Sequence, residues 1–331
     1  MKRGLVLGKF APLHRGHQLL IETSIQQCDQ TVVLVYDARE VTNIPLSVRA
    51  GWVRRLYPNA LVLEGHGSPT SAGMSLAVMR IQENYIKEVV HAPITHFFSS
   101  EWYGEHVSKA LDAIDVRVDM SRTRVPVSGT ALREDPYRHR RFVDPLVYRD
   151  LVVRVVLLGA ESTGKSALAQ RLAMEFSSVF VPEYGREYWN MNHDLNGKLS
   201  KEQLVELART HRQREDEAIL EANRILFVDT DARTTRQYSR WYHGGTVQSD
   251  LDRMASECTQ RYRLVVLCGD DIHYVEDGTR AGQERRKVAQ EEIRQELEAS
   301  GVAWLEVTGS LERRVATVRE HVIATKLAAW R

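Results

Sequence analysis

Residues 152–166 read VVRVVLLGAESTGKS, an apolar run broken only by Arg154 and followed by a glycine-bearing loop that ends in Lys165 and Ser166. A short run rich in Val and Leu suits a strand buried on both faces. Gly159 to Ser166 fit the spacing G-x-x-x-x-G-K-[ST]. Beyond the loop, Leu168, Leu172 and Phe176 recur at i, i+4 and i+8, which predicts an amphipathic helix. Strand, loop and helix in this order are the setting in which such a loop wraps a phosphate. The backbone from Gly159 through Glu161, Ser162, Thr163 and Gly164 then supplies N–H donors. Lys165 reaches the terminal phosphate oxygens, and Ser166 holds Mg²⁺.

The same alternation continues downstream. Val179–Val181, Ile225–Val228, Leu264–Leu267 and Trp304–Val307 read as strands, and Lys201–Asn223, Ala281–Ser300 and Leu311–Ala324 as helices. Asp229 ends one strand, where a carboxylate suits the Mg²⁺ shell or caps the next helix, and Asp231 follows two residues on. Pro182 to Glu187 follow the second strand of this half and include Glu183, Tyr184 and Arg186. Residues 276–286, with Arg280, Arg285 and Arg286, have the polar, basic character of a lid closing over phosphates.

Upstream, a second strand–loop–helix junction reads GKFAPLHRGH, residues 8–17. Gly8 and Gly16 let backbone approach a phosphate, and the helix start favours anions. His14 and His17 can face one phosphate group and stabilise charge developing on its oxygens. Gly4–Leu7, Thr31–Tyr36, Ala60–Leu63, Thr95–Ser99 and Asp115–Val118 read as strands. His17–Cys28, Ser47–Leu56, Met74–Val90 and Glu105–Ala113 read as helices, with a turn and N-cap at Pro45 to Ser47. Strands alternating with helices argue for parallel sheets covered on both faces. Between the halves, residues 137–150 (YRHRRFVDPLVYRD) are charged and aperiodic and read as the linker. The domains are therefore expected at 1–145 and 146–331.

Composition narrows the class. The 331 residues are 43% hydrophobic and 27% charged, as in soluble globular proteins. A net charge of +1 gives no basic surface for nucleic acid, so anion affinity must be local. Cys28, Cys258 and Cys268 are widely spaced, which excludes a disulfide scaffold and fits a reducing cytoplasm. No apolar run is long enough for membrane insertion.

The pair GKFAPLHRGH and VSGTALR (residues 127–133) resembles the nucleotidyltransferase superfamily that includes nicotinamide mononucleotide adenylyltransferases. With FSSEWYGE, GAESTGKS, EYGRE, FVDTDARTT and VEDGTR…ERR in order, nearly the whole chain resembles the NadR-type adenylyltransferase/ribosylnicotinamide kinase family. That resemblance implies an α/β protein, a Rossmann-like nucleotidyltransferase domain plus a P-loop kinase domain. It implies a NAD salvage enzyme that phosphorylates nicotinamide riboside to nicotinamide mononucleotide and adenylylates the mononucleotide to NAD, with ATP and Mg²⁺. In the first domain Gly8, Lys9, Phe10, His14, His17, Ser128, Thr130 and Arg133 would bind ATP, and Asp37 would contact the acceptor or cap a turn. In the second, Glu183 would be the base, Arg186 would steady phosphate, and Tyr184, Asp231 and Tyr274 would contact the riboside. Because the first strand begins at Gly4, a form lacking the family's N-terminal helix-turn-helix is expected. A homo-oligomer is compatible with the sequence. A fusion of the last two steps of coenzyme A synthesis is the nearest alternative, and EYGRE and DTDxxTT argue against it.

Overall fold

The structure is a computed structural model and describes residues 1–69, 75–101, 104–274 and 283–327. The chain divides into two compact units between Tyr148 and Arg149. No helix among the described residues is long and apolar enough to cross a membrane.

The first unit runs β1 (Arg3–Gly8), α1 (Arg15–Gln27), β2 (Gln30–Tyr36), α2 (Leu46–Leu56), β3 (Leu61–Gly65) and α3 (Leu76–Val89). It continues through β4 (His96–Ser99), α4 (Glu105–Ala110), β5 (Ile114–Arg117), α5 (Gly129–Glu134) and α6 (Pro145–Leu151), the last crossing the division. Its five strands are all parallel, in the order β3-β2-β1-β4-β5. Leu5, Val6 and Val32 to Val35 are fully buried because helices cover both faces. The chain steps outward from β1 to β3 and then returns to β4 on the other side of β1. The carboxyl ends of β1 and β4 therefore flank the switch point, where an open α/β sheet leaves a crevice.

The second unit comprises β6 (Val153–Leu158), α7 (Lys165–Glu175), β7 (Phe180–Val181), α8 (Gly185–Asn192), α9 (Lys201–Ala218) and β8 (Ile225–Asp229). Then follow α10 (Ala232–Tyr242), α11 (Ser249–Arg261), β9 (Leu264–Cys268), α12 (Gln283–Ser300), β10 (Trp304–Val307) and α13 (Leu311–Ala324). Its parallel sheet has the order β10-β9-β6-β8-β7. Val155, Leu157, Phe227 and Val266 point from the strands onto Leu168 and Leu172 of α7 and Val315, Val318 and Val322 of α13. Arg154, the one break in the apolar run, lies near the start of β6 and donates to Asp216 on α9 at 3.2 Å.

Three local expectations are corrected. Residues 145–151 are helical, because Pro145 sits at the first helical position, where its missing N–H costs nothing, and Val147, Tyr148 and Leu151 are buried. The α2 helix starts at Leu46 with Pro45 as its N-cap and no side-chain bond, so Ser47 lies inside the first turn. The α4 helix stops at Ala110, ahead of Asp112, whose φ is 51°.

Gly4 shows how tightly α1 lies on β1. A Cβ there would stand 2.2 Å from Ser24 Oγ and 2.9 Å from the Phe98 ring. Ser24 is itself buried and hydrogen-bonded to Thr31 at 2.9 Å, so it cannot step aside cheaply. Gly4→Ala is expected to destabilise the first unit by about 1–3 kcal/mol, the usual cost of overpacking. Scanning calorimetry should show that unit melting earlier with the second unit unmoved. An unchanged first transition would contradict this packing.

Candidate functional sites

In the first unit the loop after β1 delivers His14 to the N-cap of α1. Its Nδ1 accepts the Gly16 N–H at 3.1 Å, and His17 Nδ1 accepts the His14 N–H at 3.4 Å. This reciprocal cap has a chemical consequence. A ring nitrogen that accepts a backbone N–H carries no proton, so the proton of each neutral imidazole sits on Nε2. The rings stack with centroids 3.7 Å apart and Phe10 meets His17 edge-on at 4.9 Å. Burial, followed by the Arg122 and Arg133 charges, lowers the His14 pKa to about 4. Burial, with His14 next, holds His17 well below its ordinary value. At neutral pH the pair is therefore two neutral N–H donors in fixed tautomers, at the switch point of the sheet.

Arg133 joins this group across the chain. Its Nη1 donates to the Ala11 carbonyl at 2.8 Å and its Nη2 to Thr130 Oγ1 at 3.1 Å. Ser128 caps α5, its Oγ accepting the Ala131 N–H at 3.1 Å. Three other expected ligands are engaged elsewhere. Phe10 is fully buried and props His17 instead of facing the crevice. Gly8 makes room for it, since a Cβ there would lie 2.9 Å from the Phe10 ring. Lys9 pairs with Glu40 at 2.7 Å. Asp37 accepts the Ala38 N–H at 2.9 Å and faces Arg39 at 3.2 Å. Arg49, which belongs to no sequence motif, also holds this loop. It is 1% exposed and donates to the carbonyls of Lys9, Tyr36 (2.7 Å) and Ile44 (3.1 Å), tying the loop to the end of β2.

In the second unit the loop after β6 curls through left-handed Ser162 (φ 59°) and Gly164 (φ 82°). Lys165 Nζ donates to the carbonyls of Gly159 (3.0 Å) and Ala160 (2.9 Å). Buried side chains hold the loop from behind. Arg314 donates to Thr163 O at 2.7 Å and Asp271 at 2.6 Å, and Gln290 accepts the Ala160 N–H at 2.8 Å. Asp229 is fully buried at the end of β8. Its Oδ2 accepts the Ser166 hydroxyl at 2.5 Å, while its Oδ1 has no hydrogen-bond partner. A half-satisfied carboxylate beside a hydroxyl is a donor set that suits a hard divalent cation.

A cavity of about 640 Å³ opens from this loop. Gly159 to Ser166 form one wall, Glu183, Gly185 and Arg186 another, and Trp189, Tyr238, Trp241 and Tyr242 an aromatic third. Burial pushes the Glu183 carboxyl above the usual carboxylate range, with Lys165 pulling the other way, and Asp229 is raised for the same first cause. Arg285 reaches the cavity and lies 5.2 Å over the Trp241 ring. Three residues expected at the substrate have other partners or positions in the structure. Tyr184 is buried, with the Arg214 guanidinium stacked on its ring at 3.7 Å. Asp231 caps α10 and is held by Arg233 Nη2 at 2.7 Å, both groups buried. Tyr274 lies by Arg286, 5.7 Å from its guanidinium, and is not among the cavity's lining residues. Arg280 falls outside the described residues. The aromatic wall went unread, although Tyr238, Trp241 and Tyr242 at i, i+3 and i+4 share a helix face.

A family model described as AAA domain matches residues 154–314. The trifunctional NAD biosynthesis/regulator protein NadR of Salmonella typhimurium is 29% identical over 301 residues, covering 84% of this chain and 71% of that protein. The protein of the same name from Escherichia coli is 28% identical over 329 residues, covering 92% and 78%. A crystal structure of NadR in complex with NAD and AMP-PNP matches with a TM-score of 0.59 at 22% identity, over 96% of this chain and 95% of that one. A second, in complex with NR, matches with the same score and identity over 98% and 95%. Similarity in sequence across most of the chain and likeness in fold agree: the chain is similar to the NadR proteins over most of its length.

Proposed function

We propose that the chain converts nicotinamide riboside to NAD in two ATP-dependent steps, one in each unit. The second unit would phosphorylate the riboside, and the first would join the mononucleotide to AMP with release of pyrophosphate. One observation carries the kinase assignment: a cavity of about 640 Å³ spans the phosphate loop, the Glu183 carboxylate and an aromatic wall. Relatives named for NAD biosynthesis, and NadR complexes with NAD, AMP-PNP and NR, support the choice of substrates.

In the kinase unit Glu183 takes the proton of the riboside 5′-hydroxyl as that oxygen attacks the γ-phosphorus, and ADP leaves. Glu183 suits the role better than Asp229, because it lines the cavity while Asp229 faces Ser166. Lys165 releases the loop carbonyls and turns to the phosphate oxygens. Ser166 and Asp229 would hold Mg²⁺, which would supply neutralisation of the charge developing on the transferred group. In the first unit a phosphate oxygen of the mononucleotide attacks the α-phosphorus of ATP. The two Nε2–H groups donate to oxygens on which charge develops, and Arg133 with Thr130 and Ser128 faces the departing pyrophosphate.

Lys165→Ala should abolish riboside phosphorylation while added mononucleotide still becomes NAD, and His17→Ala should let mononucleotide accumulate. Chromatography of riboside–ATP–Mg²⁺ incubations reads both, and loss of both activities in either folded variant would refute the division of labour. The acid limb gives a second test. Glu183 must be ionised to act and its pKa is raised, so kinase kcat/KM should fall at a pH above the ordinary carboxylate value of about 4.3. Glu183→Gln should remove that limb and lower kcat roughly 10²–10⁴-fold. A limb that persists in the variant would rule out Glu183 as the base.

A further inference from the structure

The phosphate loop of the kinase unit carries a carboxylate, Glu161, within a cradle of backbone amides suited to anions. A free carboxylate there would repel a triphosphate. The structure shows where this one is held. The Tyr238 hydroxyl donates to Glu161 Oε1 at 2.7 Å, and Tyr238 belongs to the aromatic wall, edge-on to Trp241 at 5.3 Å and tilted against Tyr242 at 5.8 Å. Burial, with the Glu161 charge next, raises the Tyr238 hydroxyl well above its usual value, so it remains a donor at any physiological pH. Arg285, with its guanidinium 5.2 Å over Trp241, shows that this wall accommodates a cation.

Aromatic faces stack neutral and cationic rings alike and favour the cation by about 0.5–2 kcal/mol. A carboxylate fixed in a partly desolvated cavity discriminates strongly, because its attraction for a cation is little screened. We propose that Glu161, tethered by Tyr238, is a specificity determinant of the kinase cavity, a counter-charge that selects nucleosides whose base bears a permanent positive charge. The proposal rests on the assignment of this unit to a pyridinium riboside. It adds that charge, beyond ring shape, is what the site recognises.

The test compares two ligands of nearly the same shape, nicotinamide riboside and its uncharged 1,4-dihydro form. Their Kd values are measured by calorimetric titration of the full chain in saturating Mg-ADP. The wild type should bind the cationic form more tightly. Glu161→Gln keeps an oxygen for Tyr238 to donate to but removes the charge, and should shrink the ratio of the two Kd values about tenfold, equivalent to roughly 1.4 kcal/mol. Because the readout is a ratio, any common effect on the nucleotide loop cancels. If Glu161→Gln no longer binds Mg-ADP, Tyr238→Phe, which frees the carboxylate from its tether, should lower the same ratio. No wild-type preference, or a ratio unchanged in the variants, overturns the counter-charge while leaving the riboside kinase assignment standing. A wild type that binds neither riboside overturns that assignment and the counter-charge together.

Discussion

Both units face one physical constraint. A chain leaving the end of a central parallel strand and starting a helix exposes backbone N–H groups that the sheet no longer pairs. In each unit that point is where the strand order reverses, at the ends of β1 and β6. Helix starts converging on a crevice suit an anion, and side chains around each loop hold that helix start in place.

The two units meet this constraint with different side chains. In the first, the helix start is capped by the imidazoles themselves: His14 takes the Gly16 N–H, and His17 takes the N–H of His14. The cap fixes which nitrogen of each ring bears the proton, so the capping interaction and the chemistry are one arrangement. In the second, the loop is held from behind. Arg314, 2% exposed, spends its guanidinium on the carbonyls of Thr163, Gly269 and Gly309 and on Asp271. Arg286 adds bonds to Ser162 and Ile272, and Gln290 bridges the Ala160 N–H and the Cys268 carbonyl. Buried arginines bound to carbonyl oxygens are costly to desolvate, and they persist where a loop must be pre-organised. Arg49 does the same for the first loop, which makes a buried arginine the shared device of the two units.

Glu161 and Asp229 show how charge is managed inside an anion site. Each is a carboxylate beside a phosphate cradle, and each is held by a hydroxyl, Tyr238 for one and Ser166 for the other. The hydroxyls fix where the negative charge lies, toward the aromatic wall in one case and toward a cation position in the other. Asp229 also feels the charge of Lys165, the loop's own cation.

Local patterns determined the parallel α/β class, because apolar strands alternating with amphipathic helices have few other ways to bury their faces. They also marked the two loops at the ends of β1 and β6, since glycine, histidine, lysine and serine at fixed offsets act through backbone geometry within one short segment. What the sequence could not decide was which long-range partner each side chain takes. Phe10, Lys9 and Tyr184 lie within or beside the right motifs, yet the fold turns them to His17, Glu40 and Arg214. The cavity's aromatic wall was beyond local reach for the same reason. Trp189 on α8 and Tyr238, Trp241 and Tyr242 on α10 lie about fifty residues apart in the chain. Only the packing of those helices over the sheet brings them to one surface, because burial is a property of the assembled fold and not of any single segment.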